Sequence, residues 1–196
     1  MQHEALCLSD RKANDMQNHV DAPSLDILFR PIGIIHSKHT CPDKTPIQPV
    51  YAKGCKGTAE IHPLYVQGLK DLEGFSHIYL IYYFHRAEPM RLILKPFLQD
   101  ESRGIFATRA SCRPNPIGFS IVKLIERQGN MLMLEDVDIL DQTPLLDIKP
   151  YSAKFDRIDG CRSGWQDQVE DEVAKIRGKR GYDGTSDEQA FDQPEH

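Results

Sequence analysis

The sequence predicts an all-β protein, an antiparallel sheet or barrel with few helices and loose ends. Three observations carry this. Seven short runs rich in branched and aromatic residues alternate with turn signals. The gaps between them leave room for few helices, which excludes a parallel α/β fold. The chain of 196 residues, 40% apolar and 27% charged, suits one domain of ordinary size with polar ends.

The elements follow in order. Residues 1–26 are polar, aperiodic and contain Pro23, which predicts a flexible N-terminal tail. Residues 27–36 (ILFRPIGIIH) predict a first strand, with Pro31 marking an edge or bulge. Residues 39–56 carry Pro42, Pro46, Pro49 and Gly54 and predict a long loop, of the kind that usually serves function. Residues 57–62 alternate as a strand, and 66–72 suggest a helical turn ended near Gly74. Residues 76–85 (SHIYLIYYFH) are the densest apolar run and the strand expected to lie deepest. Strands are predicted at 105–108 and 119–126, on either side of the Pro-rich stretch 113–118. Two more, 131–140 and 145–148, flank a turn at 141–144. Residues 166–176 are the one clear helix, and 178–196 read as a frayed, disordered end. The domain body is therefore placed at 27–165.

The formal net charge of −5 belongs to the ends. Residues 27–160 hold 17 Lys and Arg against 15 Asp and Glu. Within them, residues 86–123 hold seven bases against three acids. Such an excess suits either a polyanion or a solvated face of mixed charge, and the count alone favours the second. No run reaches the roughly 18 apolar residues of a membrane helix. The first residues lack the basic-then-apolar pattern of a secretory signal. Five scattered cysteines, at 7, 41, 55, 112 and 161, form no C-x-x-C pair. That argues against a disulfide framework or structural zinc, and a cytoplasmic home is expected. The histidines lack metal-ligand spacing, and no G-x-G-x-x-G or Walker loop is present, so a nucleotide-like ligand would be held in another way.

Four segments carry chemistry. In 104–120 (GIFATRASCRPNPIGFS), Pro114 and Pro116 fix φ on either side of Asn115, leaving it few conformations. Arg109 and Arg113 offer forked donors for a carboxylate, phosphate or base edge. The alternative is a tight turn with two surface arginines. In 141–151 (DQTPLLDIKPY), Asp141 and Thr143 can staple a turn before Pro144. Asp147, Lys149 and Tyr151 then share one face, either as a charged surface ladder or as the wall of a polar pocket. His85 and Arg86 close the apolar strand, where a His is either a hydrogen-bonded cap or a catalyst. Thr45–Pro49 (TPIQP) is a stiff loop that presents Gln48.

With G-I-F-A-T-R, R-P-N-P-I-G, D-x-T-P-x-x-D-I-K-P-Y and the L-x-G-F-S-H-I element at 72–78, the chain resembles the TsaA-like/TrmO family from about Arg30 to Trp165. The resemblance implies a single-sheeted antiparallel β-barrel, a homodimer, that binds S-adenosyl-L-methionine. It implies methyl transfer to N6 of threonylcarbamoyladenosine beside the anticodon of tRNA. Carried over, cofactor-contacting positions fall on Gln48, His85, Arg86, Arg109, Phe119 and Glu135, Asp136, Val137 and Asp138. Arg113, Asn115, Asp141, Thr143, Asp147 and Lys149 are the expected substrate-side positions. His85, Asp138 and Tyr151 are the candidates for a general base, and Lys95 and Arg103 for steering tRNA phosphates. Two departures stand out. Ile47 occupies a position where the family commonly has Arg, and Gln142 one where it commonly has Gly, which alone takes positive φ freely. Two other readings remain: a cofactor-binding regulator without transferase activity, and an RNA-binding barrel without a cofactor.

Overall fold

The computed structural model describes residues 26–182. Its strands are β1 (Gly33–Ser37), β2 (Lys56–Ile61), β3 (His77–Tyr83), β4 (Ile93–Leu94), β5 (Arg103–Gly104), β6 (Ile117–Gln128), β7 (Met131–Glu135) and β8 (Thr143–Pro150). Six of them close a barrel in the order β1-β2-β7-β6-β3-β8, with every pairing antiparallel. β4 and β5 form a separate two-stranded ribbon. The helices are α1 (Ala153–Asp156) and α2 (Asp171–Lys179). Closure leaves the six strands no unpaired edge.

The period-2 pattern of each strand decides what fills the barrel. Ile35, Ala59, Ile61, Ile78, Leu80, Tyr82, Val122, Leu124, Leu132, Leu134 and Leu145 point inward and are buried. Each large side chain among them contributes about 1.5–3 kcal/mol by leaving water. Their neighbours in sequence face out. The run 76–85 is thus half-buried rather than fully buried: Ile78, Leu80 and Tyr82 are inside, while Tyr83 is exposed. A barrel wall has only one dry face.

Several boundaries move. β1 begins at Gly33, because Ile27, Leu28 and Phe29 are exposed and Pro31 has no N–H for a ladder. Ile105–Ala107 is a 3-10 turn, not a strand; both the amide and the hydroxyl of Thr108 donate to the Ile105 carbonyl and close it locally. β7 stops at Glu135, since Asp136 adopts a left-handed φ of 66°. β6 is longer than expected and carries a bulge between Leu124 and Glu126. The expected helix at 166–176 divides into a 3-10 turn (Gly164–Gln168) and α2. Residues 178–182, expected to be frayed, pack against the loop that follows β1. The expected N-terminal tail up to residue 25, and residues 183–196, lie outside the described residues. Among the described residues no helix is long and apolar enough to cross a membrane.

Candidate functional site

Because every pairing is antiparallel, one mouth of the barrel collects the ends of β1, β7 and β3 with the starts of β2, β6 and β8. This topology gathers the loop 38–55, residues 84–86, the 113–119 corner and the 136–143 segment. Segments far apart in sequence therefore meet at one rim. The opposite mouth holds the start of β3 and the end of β8.

Arg109 is the hub of the first mouth. Its guanidinium donates to the Gln48 Oε1 and lies 4.8 Å over the Phe119 ring. Phe119 and Arg109 are both exposed, so the pair faces solvent and a ligand can reach it. Arg113 does a different job. Its Nη1 donates to the carbonyls of Thr108 (2.8 Å), Ala110 (3.4 Å) and Ile105 (3.5 Å), so it shapes the turn that presents Arg109. Asn115 is exposed on the corner, and its carbonyl accepts from the Ile117 amide at 2.7 Å. Gly118 sits where any Cβ would lie 2.4 Å from the Tyr82 ring and 2.7 Å from that of Phe84. These two rings meet edge-on at 5.4 Å, so the glycine of R-P-N-P-I-G is the seat for an aromatic pair.

Below the rim lies a buried polar chain. Ser120 Oγ donates to Asp138 Oδ1 at 2.6 Å, and Tyr82 Oη lies 3.1 Å from the same Oγ. With the carboxylate ionised, Ser120 spends its one proton on it, which makes Tyr82 the donor to Ser120. Asp138 is 8% exposed, and burial pushes its carboxyl up to about 7, against the pull of Ser120, its own backbone amide and Arg109. Burial, with Asp138 nearby, drives the Tyr82 phenol far above its ordinary value.

His85 Nδ1 lies 3.3 Å from Thr143 Oγ1, and that hydroxyl donates to the Leu140 carbonyl at 2.7 Å. Burial lowers the imidazole's pKa, Arg86 adds to this and Asp141 opposes it. His85 is therefore held neutral at pH 7, able to accept a proton. Arg86 donates to the Thr40 carbonyl at 3.0 Å, which ties the end of β3 to the 38–55 loop. Asp141 accepts from the Ser37 amide at 3.1 Å. Gln142 keeps the left-handed conformation that glycine would take, at φ 63°, and its side chain reaches His36 Nδ1 at 3.1 Å. Glu135 and Asp136 both pair with Lys123, and Asp136 also accepts from the Gly54 amide at 2.7 Å. Val137 is fully buried, its amide donating to the Cys55 carbonyl at 3.0 Å and its carbonyl lying 3.0 Å from His39 Nε2, so it offers a ligand no free group.

Not every expected residue comes to this mouth. Asp147, Lys149 and Tyr151 lie toward the far end of β8. Lys149 pairs with Asp147 at 2.9 Å, and Tyr151 packs on Tyr79 and His77 at 5.9 and 6.3 Å. From Thr143 to Tyr151 the chain runs about 26 Å at roughly 3.3 Å per residue. Within one chain this stretch is a surface ladder, and Tyr151 is not beside His85 and Asp138. Three of the seven bases of 86–123 are also paired with acids: Arg91 with Glu88, Arg103 with Glu101 and Lys123 with Glu135. That favours the face of mixed charge over a bare polyanion patch.

Sequence reading missed Ser120 and Tyr82. A signal was present: Ser120 is in phase with the inward Val122 and Leu124, a polar group aimed at a dry interior. Thr40 acts through its carbonyl, and Ser37 through its amide and a hydroxyl that donates to the Ile139 carbonyl; neither left such a signal.

The tRNA-methyltransferase O N-terminal domain family model matches residues 34–157. A probable S-adenosyl-L-methionine-binding protein of Pyrococcus abyssi is 53% identical over 78% of this chain and 83% of its own length. A tRNA (adenine(37)-N6)-methyltransferase of Mus musculus is 30% identical over 95% of this chain, which spans 43% of that enzyme. A crystal structure of TrmO from Pseudomonas aeruginosa superposes with a TM-score of 0.60 at 38% identity, covering 71% of this chain and 62% of that one.

Proposed function

Because the chain belongs to the tRNA-methyltransferase O N-terminal domain family, we propose that it is an S-adenosylmethionine-dependent tRNA methyltransferase. Its target, in this reading, is N6 of threonylcarbamoyladenosine beside the anticodon. The observation that carries the reading is the first mouth: Arg109 and Arg86, Phe119, neutral His85 and Asp138 with its raised pKa converge there.

This donor set fits the cofactor. Guanidinium groups suit its carboxylate, the exposed Phe119 and Tyr83 faces suit its adenine, and the acidic 135–138 stretch suits its ribose and ammonium groups. When bound, the cofactor supplies an electrophilic methyl group on a sulfonium. The chain's part is to orient and to handle a proton. The target nitrogen is flanked by a purine and a carbonyl, so its lone pair is delocalised until its proton leaves. Asp138 is the base this structure favours: its pKa of about 7 leaves a large share ionised near neutrality, and Ser120 fixes one of its oxygens. His85 is the second candidate. Tyr151 lies at the other mouth of the same chain and drops behind both.

The test is methyl transfer by purified protein to tRNA with and without the threonylcarbamoyl group, read by nucleoside mass analysis. A gain of one methyl confined to threonylcarbamoyladenosine is the expected result. Cofactor binding by calorimetry without methyl gain would instead favour a regulator, a reading to which the Pyrococcus abyssi relative's name lends support. A homodimer belongs to this proposal as well, to be checked by light scattering.

A further inference from the structure

The family match ends at residue 157, yet the chain beyond it returns to the site. α2 is nine residues long and mostly exposed, and Gly178 is its one buried residue. Such a short polar helix is marginal alone and has no apolar face to hold it. It is held by its C-terminal end instead. Arg177 forks onto Asp100 at 3.1 and 3.2 Å. Arg180 ends the helix at φ 52°, donates to the Pro42 carbonyl at 2.7 Å and to Asp43 Oδ1 at 3.1 Å, and lies 4.2 Å over the Phe97 ring. A Cβ on Gly178 would lie 2.5 Å from the Tyr51 ring, so the bare backbone forms the notch in which that ring sits.

The last carbonyls of a helix have no partner within it. Here the Gly178 carbonyl accepts from the Ile47 amide at 3.0 Å. The Ile47 carbonyl accepts from Gln48 Nε2, and Gln48 Oε1 accepts from Arg109. An unbroken run of hydrogen bonds thus joins the end of α2 to the hub of the site.

We propose that residues 177–182 are a brace whose Gly178 and Arg180 act as positioning residues, setting where Gln48 and Arg109 stand for the cofactor. The inference rests on the S-adenosylmethionine reading above. Neither residue touches the reacting atoms. Their work is to hold a proline-rich loop that has no strand partner of its own. Ile47, where an arginine is common in the family, enters the brace through its amide, a contact open to any residue except proline.

The full-length chain and its Gly178→Ala, Arg180→Ala and Arg180→Lys variants would be titrated with S-adenosylmethionine by calorimetry. Exchange of the Ile47 amide would be followed in parallel. Gly178→Ala and Arg180→Ala are expected to weaken cofactor binding by about tenfold while kcat at saturating cofactor stays within about twofold. Both should speed exchange at Ile47, and Arg180→Lys should recover part of the affinity. Unchanged affinity together with unchanged Ile47 exchange in both alanine variants overturns the brace. Wild-type protein that binds no cofactor overturns the parent reading instead, and Ile47 exchange still decides whether the brace holds the loop. Arg180→Ala removes a side chain outside the barrel core and leaves the Gly178 notch intact, so it remains informative if Gly178→Ala misfolds.

Discussion

The two ends of β8 share one motif and opposite characters. At Asp141–Thr143 each polar side chain is locked to another segment: Asp141 to β1, Gln142 to His36, Thr143 to His85 and Leu140. At Asp147–Tyr151 the contacts are a neighbouring ion pair and the edges of half-buried aromatic rings. The difference lies in what the barrel does at each mouth. The first mouth receives three long connections that fold over it, so polar groups such as Thr143 and Asp138 lose water there and must find protein partners. At the far end of β8 the polar groups keep their water.

The sharpest test of that contrast is pH. Asp138 is protonated more readily in the fold than in the unfolded chain, so the folded state binds more protons between about pH 4 and 7. Its contribution is present at low pH and lost as pH rises through that window. Asp138→Asn should therefore gain stability relative to wild type across it, by up to about 4 kcal/mol at pH 7 and above. Chemical denaturation at stepped pH reads this; parallel curves for the two proteins would mean that Asp138 is not desolvated.

Next in size is Arg109→Ala, expected to reduce cofactor-dependent methyl transfer about 10²-fold. Steady-state rates and calorimetric affinity together check it, and full retention of both would place the site elsewhere. A smaller effect is expected at Gln142, whose positive φ glycine would relieve. Gln142→Gly should stabilise by up to about 1 kcal/mol, offset in part by the lost contact to His36. A melting curve suffices. The smallest belongs to the far mouth: Lys149→Ala should change stability by less than about 1 kcal/mol, as exposed ion pairs do, and leave cofactor affinity alone. A large loss of affinity there would abolish the contrast between the two mouths.

Much of this was legible in advance where the rule is local. Alternation identified β2, branched and aromatic composition identified β3 and β6, and proline and glycine marked the loop at 39–56 and the corner 113–118. The errors have local causes too. Residues 105–108 have β-favouring composition, but the Thr108 hydroxyl offers the backbone a turn. Residues 131–140 look continuous, but Asp136 turns the chain at β7's end. The apolar density of 76–85 suggested burial on both sides, which a one-sheet barrel does not provide.

The sequence by itself determined the strand faces, the rigid R-P-N-P-I-G corner and the residue types able to bind a carboxylate or an aromatic ring. These depend on side-chain period, on fixed proline φ and on chemistry carried by single residues. Only the tertiary structure decided that Arg109 meets Gln48, that Ser120 holds Asp138, that Asp147–Tyr151 stand apart and that α2 returns to brace the site. Those outcomes depend on strand order, closure and the return of the chain's end, which bring together residues as far apart as Pro42 and Arg180. No local pattern encodes such distances; they are fixed when the barrel closes and the buried polar groups at its mouth must find partners.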